Sequence, residues 1–126
     1  MKLIIAGSRS LNISVETIKN AIEIFGLTDI KQIIAGECPS GADLAAKRLA
    51  KLAGYDYLGF PADWHKYGKA AGVLRNKEMS LAGDFLLLLW DGSSKGSHNM
   101  RENMKNMKKP IFEIIFKSAY IENPLF

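Results

Sequence analysis

The run Asp84-Phe85-Leu86-Leu87-Leu88-Leu89-Trp90 constrains this chain more than any other stretch. Its apolar residues do not alternate with polar ones, so a strand built from them must be covered on both faces. Strands of that kind occupy the interior of parallel sheets whose two sides carry helices. Gly83 precedes the run and Asp91-Gly92 follows it, which bounds the strand tightly. The next residues, Ser93-Ser94-Lys95-Gly96-Ser97, form a small-residue loop that opens where the strand stops. In an open α/β sheet, ligands bind at that carboxyl edge.

The remaining segments fit the same architecture. Residues 2–6 are short and apolar and are closed by Gly7, which predicts a first strand. Ser14 is a suitable N-cap for a helix with Val15, Ile18, Ile22 and Phe25 on one stripe, and Gly26 stops it. A second strand is expected at 31–35. A helix from about Ala42 to Ala53 follows, with Ala42, Ala45, Ala46, Leu49 and Ala53 facing inward and Gly54 as its stop. Residues 56–60 predict a third strand. The spacing beyond it predicts one helix from about Lys66 to Ala82, packing through Tyr67, Ala70, Ala71, Val73 and Leu74. After the fourth strand come a helix from Gly96 to about Met107, bearing Met100, Met104 and Met107, and a fifth strand at 110–116. Alternation of this kind predicts an α/β protein, a three-layer sandwich with a five-stranded parallel sheet between helices.

At 126 residues the chain suits one domain. The boundaries expected are 1–116 for the domain and 117–126 for a C-terminal tail, whose Tyr120, Ile121, Leu125 and Phe126 suit packing on the body or a partner. A single cysteine, Cys38, excludes an intrachain disulfide. No apolar run approaches the ~20 residues of a membrane span, and the N-terminus lacks signal-peptide character, so a soluble cytoplasmic protein is expected. The net charge of +4 favours anionic partners. Lys95, Arg101, Lys105, Lys108 and Lys109 crowd one region, which reads first as a solvated helix face. His65 and His98 have no partners at metal-ligand spacing, so no metal is expected.

Three loops should meet at the carboxyl edge: Gly7-Ser8-Arg9, Gly36 to Asp43 through Gly41, and Asp91-Gly92 through Ser94 to Gly96-Ser97. Glycines there admit close backbone approach, and helix starts favour anions. Arg9 and Arg75 are candidate phosphate forks. Trp64 and Trp90 are candidate faces for a base. Asp43 suits the first turn of a helix, where a carboxylate complements the dipole. Cys38 lies near the same helix start.

Taken together, these loops and the segments Pro61-Ala62-Asp63-Trp64, Tyr67-Gly68-Lys69-Ala70-Ala71-Gly72 and Arg75-Asn76 with Met79 resemble the SLOG superfamily. These are small Rossmann-like proteins related to the Lonely guy phosphoribohydrolases and to DNA-processing protein A. The resemblance covers residues 2 to about 115. It implies a nucleotide, a nucleotide-sugar or a cyclic ADP-ribose-like signal as ligand and, with the apolar tail, a homo-oligomer; no cofactor is expected. The phosphoribohydrolases carry a Gly-Gly-x-Gly-Thr-x-x-Glu loop. Here Gly96-Ser97 fits that frame, and Met100 stands at the glutamate position. Glu102 is displaced from it by about 200° around the helix. The expected function is therefore ligand binding, by a sensor or sequestering protein. The alternatives are a nucleotide N-glycosidase, using Asp91 or Asp63, and a DNA-binding module.

Overall fold

The computed structural model describes residues 1–117. The tail residues named above, Tyr120, Ile121, Leu125 and Phe126, lie outside the described residues. Five strands, β1 (Lys2–Gly7), β2 (Gln32–Ala35), β3 (Asp56–Gly59), β4 (Phe85–Trp90) and β5 (Ile111–Ile115), form one sheet in the order β3-β2-β1-β4-β5. All four pairings are parallel. The helices are α1 (Val15–Ile24), α2 (Gly41–Ala53), a one-turn α3 (Trp64–Tyr67), α4 (Ala71–Ala82) and α5 (Lys95–Asn106). The α/β class, the parallel sheet and the three-layer, Rossmann-like arrangement agree with the reading of the sequence.

The Leu86–Leu89 run lies where its composition demands. Every residue of β4 is buried, with β1 on one side and β5 on the other. Alternate residues supply two cores. Leu3, Ile5, Ile33, Phe85, Leu87 and Leu89 meet α1 and α2 through Ile18, Ala21, Ala45, Ala46 and Leu49. Ile4, Ile34, Leu86, Leu88 and Trp90 meet Met79 of α4 and Met100 and Met104 of α5. Each buried aliphatic side chain contributes about 1.5–3 kcal/mol of transfer free energy. Alanines on α2 bring that helix close to the sheet, although Ala50 takes the inward place assigned to Ala53, which is exposed.

The segment 66–82 departs from the expected single helix. Asp63 caps a single turn by accepting from Lys66 N at 3.0 Å. Gly68 then adopts φ +56°, ψ −132°, which breaks the helix before a 3-10 turn at Gly68–Ala70. The restart rotates the helix relative to a continuous one. Of the expected packing residues Tyr67, Ala70, Val73 and Leu74 are exposed, and Asn76, Met79 and Ser80 join Ala71 on the inner face. Lys109 closes the far end of α4, its ammonium donating to the carbonyls of Ser80 (2.6 Å), Leu81 (3.3 Å) and Gly83 (2.8 Å).

Candidate functional site

The sheet order reverses direction between β1 and β4, so the loops leaving those strands diverge and open a crevice at their carboxyl ends. Hydrogen bonds join the loops at its base. Ser8 is buried, and its Oγ accepts from Asp91 N at 3.1 Å and donates to Ser94 Oγ at 3.2 Å. Ser40 Oγ donates to Arg9 O at 3.2 Å, tying the loop after β2 to the loop after β1. The crevice deepens into a cavity of about 340 Å³.

Gly7, Ser8, Arg9, Gly36, Asp43, Arg75, Asn76, Ser94, Gly96 and Ser97 line this cavity, so three loops and α4 converge on it. The other expected ligand contacts lie elsewhere. Gly41 borders a neighbouring cavity. Trp90 is in the core, its Nε1 donating to Glu113 Oε2 at 3.0 Å. Trp64 stands outside the wall with the Arg9 guanidinium 5.5 Å from its ring centroid. Gly92 and Asp91 also lie off the wall. Asp91 Oδ1 accepts from Ser93 N (2.9 Å) and Ser94 N (2.8 Å), and these bonds hold its carboxyl below the usual range. Asp63 serves the start of α3 in the same manner.

Asp43 and Arg75 face each other across Gly36. Arg75 Nη1 donates to Gly36 O and, at 3.4 Å, to Phe60 O, while Nε donates to Asn76 Oδ1 at 3.1 Å. No described residue accepts from Nη2. Asp43 Oδ2 accepts from Cys38 N at 3.0 Å. Burial raises the Asp43 pKa, opposed by that hydrogen bond and by the Arg75 charge. Burial lowers the Arg75 pKa, and Asp43 opposes the shift. Close packing explains the glycine between them: a Cβ at position 36 would lie 2.6 Å from Arg75 Nη1 and 3.0 Å from Asp43 Oδ2. Asn76 turns its Nδ2 to Gly96 O (3.1 Å) and Asn99 Oδ1 (3.0 Å), anchoring the first turn of α5 to α4.

Two helices start at the crevice, and neither is capped by its N-cap side chain. Ser40 precedes α2 and Ser94 precedes α5, but their hydroxyls bond Arg9 O and Ser8 Oγ instead. Ser14, which starts α1 away from the crevice, does cap its helix, accepting from Thr17 N at 3.1 Å. Among the described residues, the first N–H groups of α2 and α5 therefore lack the side-chain acceptor that a helix start ordinarily recruits. Ser97, in the first turn of α5, is 5% exposed and lines the cavity, and its Oγ has no hydrogen-bond partner among the described residues. Protein-family models, curated proteins and solved structures contain no match to this chain.

The cavity also has wall residues that the sequence did not mark as site residues. Ser10, Cys38 and Ser40 extend the polar side. Met79 and Met100 are almost fully buried and line the cavity too. Ser80 Oγ donates to Asn76 O at 2.8 Å and lies 3.3 Å from Met100 Sδ, which fixes Met100 beside the α4 residues of the site. Apolar spacing marks such methionines only as core, since a core residue and a cavity floor share one pattern. Chemically, the wall offers guanidinium and backbone donors for an anion, an amide, several hydroxyls and a single carboxyl, Asp43.

Proposed function

We propose that this chain is a SLOG-type protein that binds a small nucleotide-derived ligand at the carboxyl edge of the sheet and holds it without cleaving it. The observation that carries this reading is the pair of uncapped helix starts, at Ser40 and Ser94, opening on one crevice beside Arg9 and Arg75. Oriented N–H groups at helix starts, together with guanidinium forks, are the means by which proteins hold phosphate. The unpartnered Ser97 hydroxyl supplies one more polar contact at the same place. A sugar hydroxyl suits the Asp43 carboxyl, and the methionines offer an apolar surface for a base.

Retention rather than cleavage is supported by the carboxylates. Met100 occupies the position of the phosphoribohydrolase glutamate, and Asp63 and Asp91 are occupied with backbone N–H groups. One observation favours the alternative of hydrolysis: Asp43 is a desolvated carboxyl on the cavity wall with a raised pKa, a setting that also suits a general acid. DNA binding draws less support. In the basic region, Arg101 pairs with Glu113 at 3.2 Å and Lys109 is spent on α4 carbonyls.

The test is a thermal-shift panel of nucleoside mono- and diphosphates, with each recovered ligand weighed by mass spectrometry. The protein is expected to be stabilised and to return the ligand intact. Arg75→Ala is expected to weaken binding by about 1–3 kcal/mol, the loss of a charge-assisted contact. Turnover that Asp43→Asn abolishes would replace binding with hydrolysis. An affinity unchanged in Arg75→Ala would remove that residue from the site.

A further inference from the structure

A second cavity, of about 270 Å³, adjoins the first. Arg9, Ser10 and Ser40 line both, so the hydrogen-bonded contact between Ser40 and Arg9 forms a ridge between the two. Leu11, Ile13 and Leu44 stand in the wall of the second cavity beside Ser10, Asn12 and Ser40, and among the described residues Arg9 and Arg48 are its charged ones. Gly41, Leu44, Ala45 and Arg48 follow one another at the spacing of a single helix face, which is how α2 presents that arginine.

Neither guanidinium has a carboxylate within ion-pair distance among the described residues. An arginine on a helix surface commonly pairs with an acid three or four residues away. Around Arg48 those positions hold Leu44, Ala45, Lys51 and Leu52. Arg9 shares its charge with Asp43 of the first cavity, whereas no acid stands at the helix positions around Arg48; two arginines and no carboxylate on one concave wall concentrate anions there. The guanidinium fork matches a phosphate group, and Ser10, Asn12 and Ser40 offer hydrogen-bonding groups to the sugar attached to it.

We propose that the second cavity is a further anion subsite, with Arg48 and Arg9 as its binding residues. A ligand would place one nucleotide in the first cavity beside Arg75 and extend a second phosphorylated group across the ridge to Arg48. The inference rests on the binding function proposed above and narrows its ligand class. It selects molecules with phosphates at two separated places, such as linear dinucleotides, over nucleoside monophosphates.

Isothermal titration of two probes tests this: adenosine 5′-monophosphate, with one phosphate, and the linear dinucleotide 5′-phosphoadenylyl-(3′→5′)-adenosine, with two. The wild type is expected to prefer the dinucleotide by about tenfold or more, as a charge-assisted contact of about 1.4 kcal/mol provides. Arg48→Ala, at an exposed position, is expected to remove most of that preference while leaving the monophosphate affinity unchanged. Arg75→Ala is expected to weaken both probes and keep their ratio. A ratio unaltered in Arg48→Ala, or a wild type that does not distinguish the probes, overturns the second subsite and leaves the first intact. Failure of the wild type to bind either probe overturns both.

Discussion

At the scale of single residues, Asp43 and Arg75 carry the chemistry of the crevice, and they were legible to different degrees. Arg75 and Asn76 are marked in the sequence by the guanidinium's fit to phosphate and by the resemblance, not by their surroundings, since Lys77 and Glu78 adjoin them. Asp63, Asp91 and Asp43 are indistinguishable there, because a carboxylate after a loop caps a helix or faces a ligand according to backbone angles that a sequence does not display. The structure separates them: two serve backbone N–H groups of their own loops, and Asp43 also faces the cavity. This difference has a pH signature. Burial raises the Asp43 pKa above its ordinary 3.8, so between those two values the folded state holds more protons than the unfolded one. The Asp43 contribution to stability is therefore greatest in acid and falls as pH rises through that window, levelling off above the raised pKa. Urea unfolding of wild type and Asp43→Asn across pH 3 to 8 (about the practical range for such titrations) should show this difference. A difference independent of pH would mean that Asp43 is not desolvated.

Among the elements, the alternation of strands and helices was legible because β4 has no polar face and α1, α2 and α5 turn apolar residues inward. The break in the helix at 66–82 was not. Periodicity counts through a glycine, whereas Gly68 takes a backbone conformation that no helix permits. The cap at Ser14 and the stop at Gly54 were legible, whereas the hydroxyl directions at Ser40 and Ser94 were not, since a serine at an N-cap reads the same whether its hydroxyl turns inward or away. Ser94 turns away from α5, and this gives a direct prediction. In Ser94→Asp, a carboxylate takes the place of the proposed anion at the start of α5. The unliganded protein should gain about 0.5–1 kcal/mol despite losing the Ser8 contact, and nucleotide affinity should fall by about tenfold. Equal affinity in the two proteins, by titration calorimetry, would place the anion elsewhere. Lys109 provides the matching case at a helix end far from the crevice. Lys109→Met removes the donor shared by three carbonyls and should cost about 1–3 kcal/mol in denaturant unfolding, with ligand affinity unchanged. A loss below a few tenths would show that water replaces the ammonium without penalty.

For the molecule as a whole, the sheet order makes the site. Placing β1 and β4 side by side sends their loops apart, and the residues that fill the gap come from positions as distant as Ser8, Asp43, Arg75 and Ser97. Expecting a carboxyl-edge site required only the strand-helix alternation. Seeing which of its residues meet required the topology, and Trp90 shows the difference: it ends the strand nearest the crevice yet belongs to the core. On the proposed reading the excess of positive charge acts at this scale as well, favouring anions at a cavity whose wall carries Arg9 and Arg75 against Asp43. The most direct test of binding without cleavage is a phosphorus NMR titration of adenosine 5′-monophosphate with the protein. The account predicts a phosphate resonance that shifts or broadens with added protein, recovers its free position after the protein is denatured, and keeps its full intensity. A resonance unaffected by the protein, or a new phosphorus signal from a cleaved product, would contradict it.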